Sequence, residues 1–204
     1  MEDEQAFVVM PVRTLFEMTL GATLFLNAKL PTGKEFTPRE ISHLIGEEGK
    51  GFRYILDGLN AERTLIAAEC IGDGRWFIEK AVQYAKDREV FGRAIGCNQG
   101  IQFPLAQAHI EVEAADLMRW RACHEYDTGQ NAGASANMAK YLAAKASWQA
   151  ANECLQTFGG FGFAHEYDVE RKFRETRLYQ VAPISTNLIL AYVAEHILGL
   201  PRSF

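Results

Sequence analysis

Apolar residues recur at helical spacing along most of the chain after residue 51. Between Phe52 and Ala85 they follow one another three or four positions apart, as on one face of an α-helix, until a charged run from Lys86 to Glu89. This stretch predicts a first long helix, either continuous or broken near Gly58.

The same period returns in four later segments, two of them short. Glycine, proline and small polar residues mark their ends, as is typical of helix caps and stops. Together the five segments predict a mainly α fold, an antiparallel helical bundle. The predicted spans are about 99–128, closed by Gly129; from a cap at Ser135 or Asn137 to a glycine cluster at 159–162; about 168–179; and about 185–198, ended by Gly199 and Pro201.

The first 45 residues differ from the rest in having no sustained helical period. Pro11, Pro31 and Pro38 interrupt them, and the apolar run at 22–27 fits either a strand or part of a helix. We therefore predict two domains, an irregular or partly β segment at 1–45 and a helical bundle at 46–204.

Composition and charge exclude several function classes. Hydrophobic residues make up 48% of the 204 residues, which is ordinary for a globular protein with a buried core. The formal net charge is −5, and no long basic run occurs, so a general nucleic-acid binder is not expected. The apolar run near the N-terminus is broken by Arg13, Glu17 and Gly21, so a membrane span is not expected either.

Metal sites and disulfide frameworks are also not expected. The four cysteines are irregularly spaced without a C-x-x-C pair, and the five histidines lack the paired spacing of metal ligands. This cysteine usage favours a reducing compartment.

A glycine-rich stretch, LQTFGGFGF at 155–163, interrupts the helical pattern. Three glycines in four positions permit positive φ angles and let a flat ligand approach the backbone. The alternative is a helix C-terminus followed by a tight turn, and these residues taken alone leave both interpretations open.

A second candidate lies in YAKDREVFGRAI at 84–95. Arg88 ends a predicted helix beside the aromatic Phe91 and the turn glycine Gly92. Its guanidinium could hold a phosphate with two hydrogen bonds. The alternative is a basic residue that satisfies the last carbonyls of its own helix.

Several motifs, in this order, resemble the C-terminal half of an acyl-CoA dehydrogenase: GEEGKGF, LNAER, YAKDREVFGRAIGCNQ, MAKY, QTFGGFGF and EYDVERKFRETRLYQ. The resemblance covers about residues 44–204. It implies the family's C-terminal antiparallel four-helix bundle with an additional C-terminal helix, and it makes residues 1–45 a truncated remnant of the family's middle β-domain. The family uses FAD to remove hydrogens from the α and β carbons of an acyl-CoA thioester.

The resemblance also implies which residues contact FAD. Arg88 matches the arginine that contacts the FAD pyrophosphate, typically of a neighbouring subunit, and small residues in the glycine cluster would let backbone N–H groups reach phosphate or adenosine oxygens. The other implied cofactor contacts are Phe91, Asn98, Gln99, Gln156, Thr157, Phe158, Gly159, Gly160, Ser185, Thr186 and Asn187.

The implied catalytic base is Glu62. Abstraction of a proton next to a thioester carbonyl needs a carboxylate in a water-poor pocket. Many family members carry it in a loop before the last helix, where this chain has Pro183 instead. The isovaleryl and long-chain types place it before an arginine on the first bundle helix, as in Glu62–Arg63, with Arg63 and Asn60 as candidate substrate-binding residues. The alternatives are a solvated ion pair at a helix start and, as a less favoured base, Glu69.

The resemblance implies acyl-CoA as the substrate and a homodimer or homotetramer that shares FAD sites between subunits. An electron-transfer flavoprotein or a similar acceptor is the expected redox partner. The competing interpretation is a catalytically inactive helical subunit or oligomerisation module. We expect the cytoplasm as the location in a bacterium and the mitochondrial matrix in a eukaryote.

Overall fold

The computed structural model of the chain describes residues 50–203. The predicted segment at 1–45 lies outside the described residues. The chain divides into two compact units, Met1–Leu59 and Asn60–Phe204. The described part of the first unit is residues 50–59, at the start of a long helix. The second unit contains the other helices.

Three long helices dominate the described part, and two short ones follow. The helices are α1 (Gly51–Asp87), α2 (Gln99–Asp127), α3 (Gly133–Phe158), α4 (Val169–Thr176) and α5 (Thr186–Tyr192). A two-stranded antiparallel hairpin of β1 (Glu89–Val90) and β2 (Arg93–Ala94) links α1 to α2. Short 3-10 turns cover Ile95–Cys97, Gly159–Phe163, His165–Tyr167 and Arg177–Gln180, a π-helical turn covers Val193–Ile197, and the Ala182–Pro183 peptide is cis.

Small side chains form much of the core where α1, α2 and α3 pack. Alanine is the most frequent residue on the buried face of α3, and such small side chains allow the helix axes to approach closely. One close approach involves Gly74 on α1, since a Cβ added there would lie 2.7 Å from Cγ2 of Val112 on α2. A second buried cluster, containing Phe77, Leu105 and Phe158, lies towards the hairpin end of α1.

The mainly α fold is confirmed, and two details differ from the prediction. The first helix is continuous through Gly58. The cap predicted at Ser135 or Asn137 is wrong, because α3 begins at Gly133 and both residues lie buried inside it. The N-cap residue is Ala132, and the Oδ1 atom of Asn131 accepts the N–H of the first helical residue, Gly133, at 3.0 Å.

The two short helices begin near the predicted residues. Ser185 caps α5, and its Oγ accepts the Leu188 N–H at 3.3 Å. The helix predicted at 168–179 is regular only to Thr176 and continues as a 3-10 turn. No helix within residues 50–203 is long and apolar enough to cross a membrane.

Candidate functional site

A groove opens where the end of α1, the hairpin and the end of α3 meet. Its volume is about 530 Å³. It brings together residues that are far apart in the sequence, because α1 and α3 end at the same side of the bundle. Its lining consists of Tyr84, Arg88, Val90, Ile95, Thr157, Phe158, Gly159, Gly160 and Phe161.

Arg88 supplies the positive charge of this groove. The residue is exposed directly after α1, and its guanidinium carbon lies 5.4 Å from the centre of the Phe161 ring. Within residues 50–203 no carboxylate lies within ion-pair distance of it. A guanidinium held over an aromatic face keeps its N–H groups free to bind an anion with two hydrogen bonds.

Aromatic rings make the other side of the groove flat and apolar. Tyr84 stacks on Phe158 with ring centres 4.0 Å apart and an interplanar angle of 19°. Tyr167 contacts both rings edge-on, at 6.1 Å and 5.3 Å. Such a surface is suited to contact with a planar ring or an apolar chain.

The glycines at the end of α3 contribute open space. Gly159 has φ 57°, a conformation that favours glycine, and its N–H already donates to carbonyls of Leu155 and Gln156. A Cβ added at Gly159 or Gly160 would meet no atom within 4 Å. The Gly159 N–H is therefore already bonded within the chain, although a free donor was predicted there. What Gly159 provides is open space for a ligand beside Arg88.

Phe91 lies at the tip of the hairpin and outside the groove lining. Glu89 pairs with Ala94 and Val90 with Arg93, leaving Phe91 and Gly92 as a two-residue turn with φ 54° and 75°. Positive φ at both positions is the geometry of a type I′ turn. Phe91 is fully exposed to solvent.

Asn98 organises the start of α2. Its Oδ1 accepts from Nη2 of Arg93 at 2.7 Å, and its Nδ2 donates to the Ile95 carbonyl at 3.0 Å. Gln99 and Gln156 are exposed. None of these three predicted cofactor contacts lines the groove.

Ser185, Thr186 and Asn187 form the beginning of α5 and also lie outside the groove lining. Thr157, by contrast, lines the groove, with its hydroxyl donating to the Glu153 carbonyl at 2.7 Å. The predicted cofactor residues therefore divide into a cluster around Arg88 and two sets outside it.

Glu62 and Arg63 point into different environments on α1. Glu62 is exposed, whereas Arg63 is only 7% exposed and donates from Nη1 to Oδ1 of Asn60 at 2.8 Å. Burial lowers the pKa of the Arg63 guanidinium, opposed by the nearby Tyr192 and Glu62. The buried Nε–H of Arg63 has no hydrogen-bond partner within the described residues.

Four groove residues were not predicted as site residues: Tyr84, Val90, Ile95 and Phe161. Three of them belong to the YAKDREVFGRAI motif, and Phe161 belongs to the glycine-rich motif. Both motifs contribute residues to the groove, but only the packing of α1 against α3 selects the side chains that face it. Among residues 50–203, no group of three or more His, Cys, Asp or Glu residues is placed to hold a metal ion.

In the comparison with known proteins, two different family models match two parts of the chain. The family model described as the acyl-CoA dehydrogenase C-terminal domain matches residues 49–198. The model described as the SseB protein N-terminal domain matches residues 1–43. Protein SseB of Escherichia coli is 57% identical over 99 residues, which cover 48% of this chain and 37% of that protein.

The similarity of the larger part extends to sequence and to structure. An acyl-CoA dehydrogenase of Mycobacterium bovis, FadE12, is 45% identical over 163 residues, covering 79% of this chain and 42% of the relative. The FAD complex of PigA superimposes with a TM-score of 0.74 at 29% identity, covering 82% of this chain and 43% of that chain. This chain thus spans about two fifths of the length of its acyl-CoA dehydrogenase relatives, and the match over residues 49–198 shows that it belongs to the acyl-CoA dehydrogenase family through the C-terminal domain.

Proposed function

We propose that residues 46–204 are the C-terminal bundle of an FAD-dependent acyl-CoA dehydrogenase. The reaction is the α,β-dehydrogenation of an acyl-CoA thioester to a trans-2-enoyl-CoA. The observation that carries the proposal is the groove in which Arg88, without an acidic partner among the described residues, stands beside Gly159 and Gly160.

The groove fits part of a bound FAD. The two features that a dinucleotide needs are a cation for the pyrophosphate and open, partly apolar space for the rest, and both are present around Arg88. The FAD-bound structure of PigA, of which 43% superimposes on this chain, supports this assignment. The groove is open to solvent, which agrees with a cofactor site completed by a second subunit.

Glu62 is the proposed base. It would take the α proton of the thioester, while the β carbon gives up a hydride, for which bound FAD is the acceptor. The side chain is exposed in the described part of this chain, so the water-poor pocket that the reaction needs must be completed by other parts of the assembled enzyme.

Arg63 and Asn60 support the substrate side of this site. Arg63 is held by Asn60 and carries a buried Nε–H without a partner in the described part of the chain. A buried donor of this kind is costly unless something accepts from it. We propose a carbonyl of the bound acyl-CoA, or a water attached to it, as the acceptor.

Titration of the purified chain with FAD tests the proposal. We expect quenching of flavin fluorescence, and we expect Arg88→Gln to weaken FAD binding by about 10-fold to 100-fold, since hydrogen bonds to charged groups contribute about 1.5–3 kcal/mol. The matched control is Arg121→Gln, because Arg121 is exposed on α2 and pairs with Glu125, away from the groove. Equal FAD affinities of the wild type and the Arg88 variant would refute the role of this groove.

The second candidate function is a helical oligomerisation module without catalysis. A row of exposed apolar side chains along α2, spaced mostly at seven residues, favours it: Phe103, Ile110, Leu117 and Trp120. Sedimentation analysis separates the two proposals. A stable oligomer that Leu117→Glu dissociates, and that takes up no FAD, would support the module. FAD uptake that bleaches on addition of an acyl-CoA would support the enzyme.

A further inference from the structure

Lys140 is a fully buried lysine on α3, with 0% of its surface exposed. It belongs to the MAKY motif and does not line the groove, and it lies near enough to Arg63 for the two positive charges to repel each other. Its Nζ donates to the carbonyl of Tyr179 at 2.5 Å and to the carbonyl of Ile184 at 2.7 Å.

A lysine in this position is costly for the fold. Burial removes the amine from water and lowers its pKa, and no carboxylate among residues 50–203 lies within ion-pair distance to compensate. Its partners are two neutral carbonyls. A methionine or leucine would fill a similar volume without this desolvation, so the two hydrogen bonds indicate a geometric role for the amine.

The two acceptors lie at opposite ends of one short segment, residues 179–184. The Tyr179 carbonyl belongs to the 3-10 turn after α4, and Ile184 directly precedes Ser185, the cap of α5. A single amine on α3 therefore forms hydrogen bonds with both ends of the segment. A further hydrogen bond lies one turn later along α3, where Nε2 of Gln180 donates to the Ala144 carbonyl at 2.5 Å.

We infer that Lys140 is a positioning residue that holds the 179–184 segment and thereby places the first turn of α5. The two carbonyls leave this segment little freedom to move away from α3. Ser185, Thr186 and Asn187 follow immediately, so Lys140 sets the location of these predicted cofactor contacts without touching the cofactor. This consequence for FAD rests on the proposed function, whereas the placement of the segment does not.

Hydrogen–deuterium exchange in the full chain tests the placement without any flavin. We expect Lys140→Met to accelerate amide exchange in residues 178–189 by about tenfold or more and to leave the peptides of α1 and α2 close to wild type. The matched control is Lys145→Met, because Lys145 is exposed on the same helix and its amine lies over the Tyr141 ring. A uniform acceleration over all helices, or none in 178–189, would overturn the inference.

A milder variant and a measurement on the unmodified chain cover the case in which Lys140→Met does not fold. Lys140→Gln keeps two N–H donors on a side chain one atom shorter, and we expect an intermediate acceleration confined to the same segment. In the wild type, the Lys140 amine protons should be protected from solvent and show NMR contacts to residues 179 and 184. Fast-exchanging protons without these contacts would also contradict the inference.

FAD titration of the same variants separates this inference from the proposed function. If both hold, Lys140→Met weakens FAD binding about tenfold relative to Lys145→Met. If the wild type binds no FAD while exchange in 178–189 responds to Lys140→Met, the positioning role stands and the proposed function fails. If FAD binds equally to both variants, the link between Lys140 and the cofactor is refuted.

Discussion

At the scale of single residues, neighbouring positions on one helix lie in different environments because one faces solvent and the other the core. Glu62 is exposed, and the next residue, Arg63, is buried against Asn60. The motif LNAER indicated both as site residues. Only the direction of each side chain in the fold separates an exposed carboxylate from a buried guanidinium whose Nε–H has no partner among the described residues.

Glu62→Gln should abolish catalysis while FAD remains bound. The amide cannot accept the α proton, and loss of a general base costs about 100-fold or more in rate. The measurement is bleaching of the flavin absorbance by an acyl-CoA in the FAD-loaded protein. Glu69→Gln is the matched control, an exposed carboxylate seven residues later on α1. If the Glu69 variant loses bleaching and the Glu62 variant keeps it, the assignment of the base is wrong.

Asp116 should contribute stability that disappears in acid. Burial alone raises the pKa of this carboxyl, but hydrogen bonds from Arg119 and Arg75, at 2.7 Å and 2.8 Å, outweigh burial and hold the pKa below its usual range. The stabilisation is present above the unfolded-state pKa of about 4 and is lost as the pH falls through the lower folded-state value.

Asp116→Asn should lower the free energy of unfolding by about 1–3 kcal/mol at pH 7. The difference from wild type should shrink as the pH is lowered from about 5 to about 2. Urea unfolding at several pH values measures both effects. Asp127→Asn, at the exposed last residue of α2, should change stability by less than about 0.5 kcal/mol. A constant difference at all pH values would contradict the proposed ionic network.

At the scale of elements, two glycines on α1 that the sequence does not distinguish have different effects on helix packing. Gly72 and Gly74 are two residues apart on α1. A Cβ at Gly72 would meet no atom within 4 Å, whereas one at Gly74 would lie 2.7 Å from Val112, which is 1% exposed in the core. The first glycine only lowers helix propensity, while the second lets α1 approach α2.

Alanine substitutions at these two glycines should therefore have opposite signs. Gly72→Ala should stabilise the fold by about 0.5–1 kcal/mol, because alanine restricts the unfolded chain and favours the helix. Gly74→Ala should destabilise it by about 1–3 kcal/mol, because the β-branched Val112 cannot yield without disturbing the core. Thermal unfolding of the two variants gives the comparison, and the same sign for both would contradict the close packing of α1 on α2.

At the scale of the whole molecule, the chain contains two segments that are similar to two different protein families. Residues 1–43 are similar to the N-terminal domain of SseB, and residues 49–198 match the acyl-CoA dehydrogenase bundle. The sequence-based proposal that residues 1–45 are a remnant of the middle β-domain stays a prediction, and the SseB similarity offers a different origin for the same residues. The matched region covers only 42% of the length of the acyl-CoA dehydrogenase FadE12.

A chain that begins at residue 46 should keep the fold of the bundle. In the described part, the buried apolar residues all lie between Ala67 and Ile189, inside the second compact unit. Removal of residues 1–45 should leave a single cooperative transition and change the Tm by less than about 4 °C. Circular dichroism over temperature measures this, and loss of the cooperative transition would show that residues 1–45 support the bundle.

Much of the architecture followed from local patterns. The spacing of apolar residues predicted the long helices to within a few residues, since a 3.6-residue period is a property of the chain alone. Motif order indicated the family, later shown by the match to its C-terminal domain. The start of α3 was misplaced because the helix begins at Gly133, after the N-cap Ala132, outside the apolar pattern where periodicity carries no signal.

The tertiary structure alone determined which distant residues contact each other. Arg88 and Gly159 are 71 positions apart, and Lys140 reaches carbonyls 39 and 44 residues later. Residue types suggested that a guanidinium could bind a phosphate and that a lysine could donate hydrogen bonds. Which atoms they meet, and whether water is excluded, follows from how α1, α3 and the 179–184 segment pack, because contacts between distant residues form only when their helices share a core.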